Sequence, residues 1–369
     1  MTKYLFLLGR HSELSKLECF SLLESLSLKY LIKQESREFL VLEMDNFNAE
    51  LFIQRSGAVI KIAKKIDVKD YTYQGTSNSV NYGISILGNP GHDFIKKIAS
   101  EFKQKYKDEK VKASLKMPKH QDFFTPSEVS SKRLEDFLIL NKELFQTIAT
   151  SDPESYKYRD EKRPEKNFKM QTSIRLAKIL INISQARKNI LDPFCGYGTI
   201  LQEALLCNIP VYGFEFDEKI YNSCIKNLEW ISKKYTLITP FKIYNLPNSK
   251  IKSTFKENFI ETVVTEPEMG PYFKRRPDRS EALKIIPWLE KQYTILFRSL
   301  KYTLGRNAQV VIILPEINYK GGKLKIDMES ILGSEYTVLT EKYGVKLPIM
   351  IEGQVFDRYI YILRPSKQA

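Results

Sequence analysis

Apolar positions change their period along this chain, and the change divides it into two regimes. Near the start, a short apolar run over residues 4–8 predicts a strand. Residues 12–26 predict a helix opened by Ser12, with Ser15 where a capping box would place an acid. A second strand is expected over 38–44, Gly57 breaks the pattern, and Val59, Ile60 and Ile62 resume it. Residues 82–87 read as another strand, ending in the turn cluster Gly88-Asn89-Pro90-Gly91. The helix predicted over 92–107 carries Phe94, Ile95, Ile98 and Phe102 at helical spacing. Residues 151–169, with two prolines and six Lys or Arg, have the composition of a linker. A helix over 172–184 opens the second regime, in which short apolar strands alternate with helices. Strands are predicted at 189–192, 211–215, 262–265 and 308–314, helices at 200–207 and 218–230, and a closing pair of strands at 336–346 and 355–363. That alternation predicts a parallel sheet covered by helices on both faces. Ligands of such sheets bind outside the C-terminal ends of the strands.

Composition narrows the partners. At 369 residues the chain suggests two or three domains and buries ample core without disulfides or metals. Lys and Arg number 58 against 44 Asp and Glu, a net +14 that points to a polyanion such as nucleic acid. Nine Lys against three acids fall between residues 96 and 119, interleaved with Phe and Tyr. This stretch reads either as a solvated helix face or as a surface that tracks phosphates. No apolar run is long enough for a membrane span, and the first is too short for a signal peptide, so a cytoplasmic protein is expected. Cys19, Cys195, Cys207 and Cys224 show no CxxC spacing, and the three histidines (His11, His92, His120) lie in the first third. Neither a disulfide framework, a metal site nor a histidine triad is expected.

Chemistry concentrates in Ile190-Leu-Asp-Pro-Phe-Cys-Gly-Tyr-Gly-Thr199 and the helix after it. Gly196 and Gly198 at a strand-to-helix turn let the backbone approach a ligand closely. The third glycine of GxGxxG is replaced by Leu201, and no Gly-Lys-Ser/Thr follows, so neither a dinucleotide fingerprint nor a P-loop is present. Asp192 at the strand end would repel phosphate but suits a cation, and S-adenosylmethionine (SAM) carries an ammonium and a sulfonium. Glu215, 23 residues beyond Asp192 and at the end of the next strand, is placed to accept both ribose hydroxyls. Cys195 reads as a small residue packed under the glycine turn, not as a nucleophile.

Asp192-Pro-Phe-Cys-Gly-x-Gly-Thr199, followed by Gln202-Glu203-Ala204, resembles the SAM loop of the THUMP-containing tRNA guanosine-10 N2-methyltransferases. The resemblance extends over most of the chain. Tyr158-Arg-Asp-x-x-Arg163-Pro164, and then Met170 through Ile181-Asn182, are similar to the segment preceding the loop in that family. Leu7-Leu-Gly-Arg10 with Leu14-Ser15 and Glu18 resembles its opening strand and helix, and Gly57 to Ile62 its glycine-led strand. The resemblance implies that Asp192, Phe194, Gly196, Gly198 and Glu215 hold SAM. Asn245 stands nearest to the position where the family places an acid on the adenine amine, and its side-chain oxygen accepts the same bond.

Thr265-Glu-Pro-Glu-Met-Gly-Pro271 stands where amino-methyltransferases carry Asp/Asn-Pro-Pro-Tyr. Methylating an exocyclic amine requires its lone pair to be freed and aimed, which two acceptors on the N–H bonds achieve by positioning. Glu266 and the carbonyl of Pro267 fill these roles in this reading, with Glu268 and Met269 departing from the family's proline and aromatic. Tyr272 or Phe273 would stack the base. The basic loop at Lys274, Arg275 and Arg276, together with Arg163, would contact the RNA substrate.

The expected architecture is therefore an α/β protein whose C-terminal Rossmann-like SAM-dependent methyltransferase has a seven-stranded, mostly parallel sheet. It is joined to an N-terminal α+β ferredoxin-like/THUMP RNA-binding region. The expected boundaries are 1–75 (ferredoxin-like unit), 76–150 (THUMP-like), 151–169 (basic linker) and 170–369 (methyltransferase). The expected enzyme is a monomer that methylates N2 of a guanosine in tRNA, at position 10, using SAM and no metal. A small activator subunit is left open. So are two rivals: action on rRNA or another tRNA guanosine, and an RNA-binding protein of this fold that has lost catalysis.

Overall fold

The computed structural model describes residues 1–118, 122–167, 172–271, 273, 275–339, 345–347 and 355–366. The chain forms two compact units, one of residues 1–19 and 26–157, the other of residues 20–25 and 158–369. Among the described residues no helix is long and apolar enough to cross a membrane.

The first unit begins with β1 (Thr2–Leu8), α1 (Ser12–Ser25), β2 (Tyr30–Glu35), β3 (Phe39–Met44), α2 (Ala49–Arg55) and β4 (Val59–Ile66). The strands lie in the order β2-β3-β1-β4, each pair antiparallel, which is the ferredoxin-like arrangement. Leu5, Phe6 and Leu7 of the inner strand β1 are fully buried, whereas the edge strand β2 is largely exposed. Glu18 explains the break at Gly57: its buried carboxylate accepts from Ser56 Oγ (2.7 Å) and from the N–H groups of Gly57 (2.6 Å) and Ala58 (2.9 Å).

The chain continues through β5 (Ser79–Leu87), α3 (His92–Asp108), β6 (Lys112–Lys116), α4 (Pro126–Ser131), β7 (Leu134–Leu140) and β8 (Glu143–Thr150). These four strands extend the first sheet rather than building another, in the order β4-β8-β7-β5-β6. The segments 1–75 and 76–150, expected as separate units, thus share one eight-stranded sheet through the antiparallel β4–β8 pairing. At this junction Lys61 of β4 and Asp136 of β7, both fully buried, pair at 2.5 Å. Ser85 (3.1 Å) and Thr147 (2.7 Å) donate to the same carboxylate. A buried charge is tolerable only when paired and hydrogen-bonded in this way. On α3, Ile98, Phe102 and Tyr106 face the core, while Lys96, Lys97, Lys103 and Lys107 are exposed.

Residues 151–169 are not simply a linker, because α5 (Pro153–Lys162) occupies much of the segment. Past it come α6 (Ile174–Ile183), β9 (Ile190–Asp192), α7 (Thr199–Leu206), β10 (Val211–Phe214), α8 (Glu218–Lys234) and β11 (Phe241–Tyr244). Next are α9 (Ile251–Thr254), β12 (Ile260–Thr265), α10 (Arg279–Leu300), β13 (Leu304–Tyr319), β14 (Gly322–Leu324), α11 (Met328–Leu332), β15 (Tyr336–Val338), β16 (Val345–Lys346) and β17 (Phe356–Pro365). Seven strands form the main path of the second sheet, β11-β10-β9-β12-β13-β17-β15, with β14 and β16 attached to β13 and β17. The first five run parallel; β17 lies antiparallel between β13 and β15. This is the expected Rossmann-like sheet. β13 runs to Tyr319, five residues past the expected end, so β13 and β17 continue as a ribbon beyond Thr265, where β12 stops.

Candidate active site

The ends of β9, β10, β11 and β12 collect the groups singled out in the sequence. Asp192 closes β9 and is buried; its Oδ1 accepts from the Phe194 N–H (3.1 Å) and from Thr265 Oγ1 (2.6 Å). Among the described residues nothing donates to Oδ2. Burial pushes the Asp192 carboxyl up to about 7, with the charges of Glu215 and Glu266 adding to the shift. A buried, reluctant carboxylate of this kind gains most when a cation binds beside it.

The glycine turn follows at once. Gly196 (φ 50°) and Gly198 (φ 83°) both adopt left-handed backbone, for different purposes. A Cβ at 198 would meet Cys224 Sγ at 2.8 Å, so this glycine lets α7 and α8 close together. A Cβ at 196 would meet nothing within 4 Å, leaving that side of the turn open to a ligand. Cys195 packs underneath, its Sγ 3.9 Å from Cys224 Sγ, and the paired thiol together with burial pushes its pKa well up, as befits a packing residue.

Glu215 follows β10, in register with the turn, and its carboxylate accepts from the N–H groups of Gly196 and Asp217. Burial raises its pKa. Asn245, at the end of β11, donates through Nδ2 to the carbonyls of Glu215 (2.9 Å) and Phe216 (3.1 Å), which orients Oδ1 away from the backbone as an acceptor. Sequence reasoning passed over Phe216. It is 75% exposed beside Glu215 and Asn245, where its ring offers a flat apolar wall for a nucleobase. The signal was an aromatic residue directly after Glu215. Carboxylates at Asp192 and Glu215, an open glycine turn and an exposed aromatic fit the ammonium, ribose and adenine of SAM.

Glu266 extends from β12 into the same end of the sheet. Its Oε2 accepts from Thr172 Oγ1 (2.6 Å) and its Oε1 from Arg358 Nη1 (2.8 Å) on β17. Neither partner was foreseen; they lie 94 residues before and 92 residues after it. No described donor occupies the carbonyl of the buried Pro267. Tyr293 of α10 donates to the Glu268 carbonyl at 2.8 Å, and Gly270 (φ 117°) passes so close to Ile285 and Phe356 that a Cβ would lie 3.2 Å from each. The loop is therefore held by α10 on one side and β17 on the other.

The expected substrate contacts fare differently. Phe273 is half-buried, its ring 6.1 Å from that of Phe356, so it lines the loop rather than projecting from it. Arg275 makes two 3.0 Å bonds to Glu281 at the start of α10, while Arg276 is exposed. Tyr272 and Lys274 lie outside the described residues. Arg163 offers no surface to RNA: it is buried, donating to Thr199 Oγ1 (2.9 Å) and pairing with Asp160 (3.3 Å). Arg159 likewise makes a bidentate pair with the buried Glu203 of α7 (2.8 and 2.9 Å). Two of the six basic residues that gave this segment its linker composition, Arg159 and Arg163, are thus spent on bracing the helix that carries the glycine turn, while Lys157, Lys162 and Lys166 are exposed. Among the described residues no cluster of His, Cys, Asp and Glu is arranged to hold a metal ion.

A seven-stranded sheet with a glycine turn after its first strand, an acid after its second and a Glu-Pro motif after its fourth defines a Rossmann-like methyltransferase domain. Comparison with known proteins agrees: the chain belongs to the DNA methylase family, whose pattern matches residues 31–226 and so takes in the glycine turn and Glu215. It is 30% identical over 146 residues to the tRNA (guanine(10)-N2)-dimethyltransferase of Pyrococcus abyssi, covering 40% of this chain and 42% of that protein. It is 25% identical over 177 residues to the enzyme of the same name from Methanothermobacter thermautotrophicus, covering 47% and 45%. The matches thus span less than half the length of either relative. Among solved structures, TrmN from Thermus thermophilus aligns over 98% of this chain and 99% of its own at a TM-score of 0.53 and 14% identity, a likeness of fold. A possible methylase from Clostridium difficile 630 aligns similarly, over 100% and 99%, with a TM-score of 0.52 and 14% identity.

Proposed function

We propose that this chain transfers a methyl group from SAM to the exocyclic N2 of a guanosine in tRNA, at position 10. The observation that carries the reading is the 2.6 Å hydrogen bond from Thr265 to Asp192, which ties the Glu266-Pro267 motif directly to the glycine turn. The names of the relatives from Pyrococcus abyssi and Methanothermobacter thermautotrophicus support the choice of base and RNA. SAM supplies an electrophilic methyl on its sulfonium; the protein's work is placement. Asp192 takes the ammonium, Glu215 the ribose hydroxyls, and Asn245 and Phe216 the adenine. Glu266 and the Pro267 carbonyl accept the two N–H bonds of the guanine amine and so turn its lone pair towards the methyl. Residues 1–75 and 76–150, the latter in the role of a THUMP domain, bind the tRNA as one module, with the exposed lysines of α3 tracking phosphates. The enzyme acts in the cytoplasm as a monomer, with or without a small activator subunit.

A second reading, an RNA-binding protein without catalysis, draws on the ion pair that already engages Glu266 and on Glu268 and Met269 in its motif. Methyl transfer from labelled SAM to unmodified tRNA transcripts, followed by nucleoside mass spectrometry, decides between them. N2-methylguanosine that vanishes when the guanosine at position 10 is replaced is the expected result. Label in rRNA alone would redirect the substrate, and SAM binding without transfer to any RNA would favour the second reading.

A further inference from the structure

The partners of Glu266 bear on how the site selects its base, an inference that rests on the guanosine reading above. We propose that Arg358 is a specificity-determining residue. Together with Glu266 it forms an acceptor–acceptor–donor row complementary to the Watson–Crick edge of guanine and to that of no other RNA base. Guanine presents N2–H, N1–H and O6 in order: donor, donor, acceptor. Adenine and cytosine each set an acceptor ring nitrogen beside their amine, which would face a carboxylate oxygen, and uracil flanks its single N–H with two carbonyls.

Geometry on both residues supports the row. Thr172 holds Oε2 and Arg358 holds Oε1, so the plane of the Glu266 carboxylate is fixed from two sides. A carboxylate has about four acceptor sites, and these two bonds leave each oxygen free to accept once more. Arg358 presents the complementary surplus. The only hydrogen bond of its side chain among the described residues is the one from Nη1 to Glu266, and its buried Nε reaches no acceptor. A guanidinium has about five N–H donors in a planar fork, so the donors that Glu266 does not use lie in one plane beside its carboxylate. The side chain remains 18% exposed, which leaves an approach for a ligand. Phe356, two residues along β17 and therefore on the same face, stands over Gly270 and against Phe273. That face of the β13–β17 ribbon borders the motif loop. The same ion pair that the non-catalytic reading takes as an obstruction is, on this view, the recognition element.

The test pairs an atom of the base with a residue of the protein. Full-length tRNA carrying either guanosine or 2-aminopurine riboside at the target position is methylated by wild type, Arg358→Met and Arg358→Lys, and kcat/KM is measured for each. 2-Aminopurine keeps the N2 amine but lacks both O6 and the N1 proton. The N1 contribution falls on Glu266, which Thr172 holds in every variant, so the change in its ratio to guanosine caused by each variant reports on the Arg358–O6 contact. Removing the donor to a desolvated acceptor should shrink the wild-type preference for guanosine by about ten- to a hundredfold in Arg358→Met. Arg358→Lys, which keeps a donor and a charge, should retain part of it. SAM binding measured by calorimetry verifies that each variant is folded. Equal slowing of both bases by Arg358→Met, with the ratio unchanged, would overturn this inference while leaving guanosine methylation in place. Failure of wild type to methylate guanosine in any RNA would overturn the underlying reading and this one with it.

Discussion

Replacing Asp192 with Asn should do more than weaken SAM binding; it should remove the dependence of that binding on acidity. Burial holds the Asp192 carboxyl at about 7, so at neutral pH only half of it carries the charge that an ammonium needs. The cofactor's own α-amino group has a pKa of about 7.7–8.0. Productive pairing requires the carboxylate ionised and the amine protonated. The product of those two fractions peaks near pH ~7.4 and falls about fivefold by pH ~6 and about fiftyfold by pH ~5. Calorimetric titration of SAM at constant ionic strength across this range should trace that acid limb in wild type. Asp192→Asn should bind weakly with no acid limb, whereas Glu215→Gln should weaken binding but keep it. A wild-type affinity that is flat between pH ~5 and ~7.4 would refute the assignment of Asp192 to the ammonium. Stability runs the other way. A carboxyl raised in the folded state contributes stability that is complete below its unfolded value near 4 and is lost as the pH rises through about 7. Without ligand, Asp192→Asn should therefore be more stable than wild type at pH ~8, by at most about 4 kcal/mol.

Two further outcomes separate packing from binding in the same loop. Gly198→Ala forces a side chain into left-handed backbone and against Cys224, and should cost about 1–3 kcal/mol in denaturant unfolding while also weakening SAM. Gly196→Ala meets no neighbour, so its stability cost should be the smaller of the two and its loss of SAM affinity at least as large; the reverse order would show that the open side of the turn does not face the ligand. Phe216→Ala, at a site 75% exposed, should leave unfolding within about 0.5 kcal/mol of wild type and weaken SAM about tenfold. Unchanged affinity on calorimetry would remove Phe216 from the adenine site.

Much of the second unit was legible because its signals are local. Gly196 and Gly198 mark a turn by residue type alone, and Glu215 follows from the register of consecutive strands. The partners of Glu266 were not, since Thr172 and Arg358 reach it only through the folded sheet and neither carries a neighbouring motif. Arg163 shows the converse. A basic residue in a Pro- and Lys-rich segment reads as solvated, yet Thr199 and Asp160 give it a buried seat, and nothing in composition distinguishes an arginine that braces a helix from one that meets phosphate. The two N-terminal segments read as separate because each has its own strand–helix rhythm, whereas the β4–β8 pairing that unites them is long-range.

That pairing has a practical consequence for anyone dividing the molecule. Cutting the chain after residue 75 would leave β4 and β8 each with a bare row of amide and carbonyl groups, and would strand Asp136 without Lys61 in an apolar interior. Both fragments would then present sticky edges to other chains. In hydrogen exchange the intact sheet should open as one cooperative block, so that the two N-terminal segments behave as a single stiff frame instead of two hinged halves.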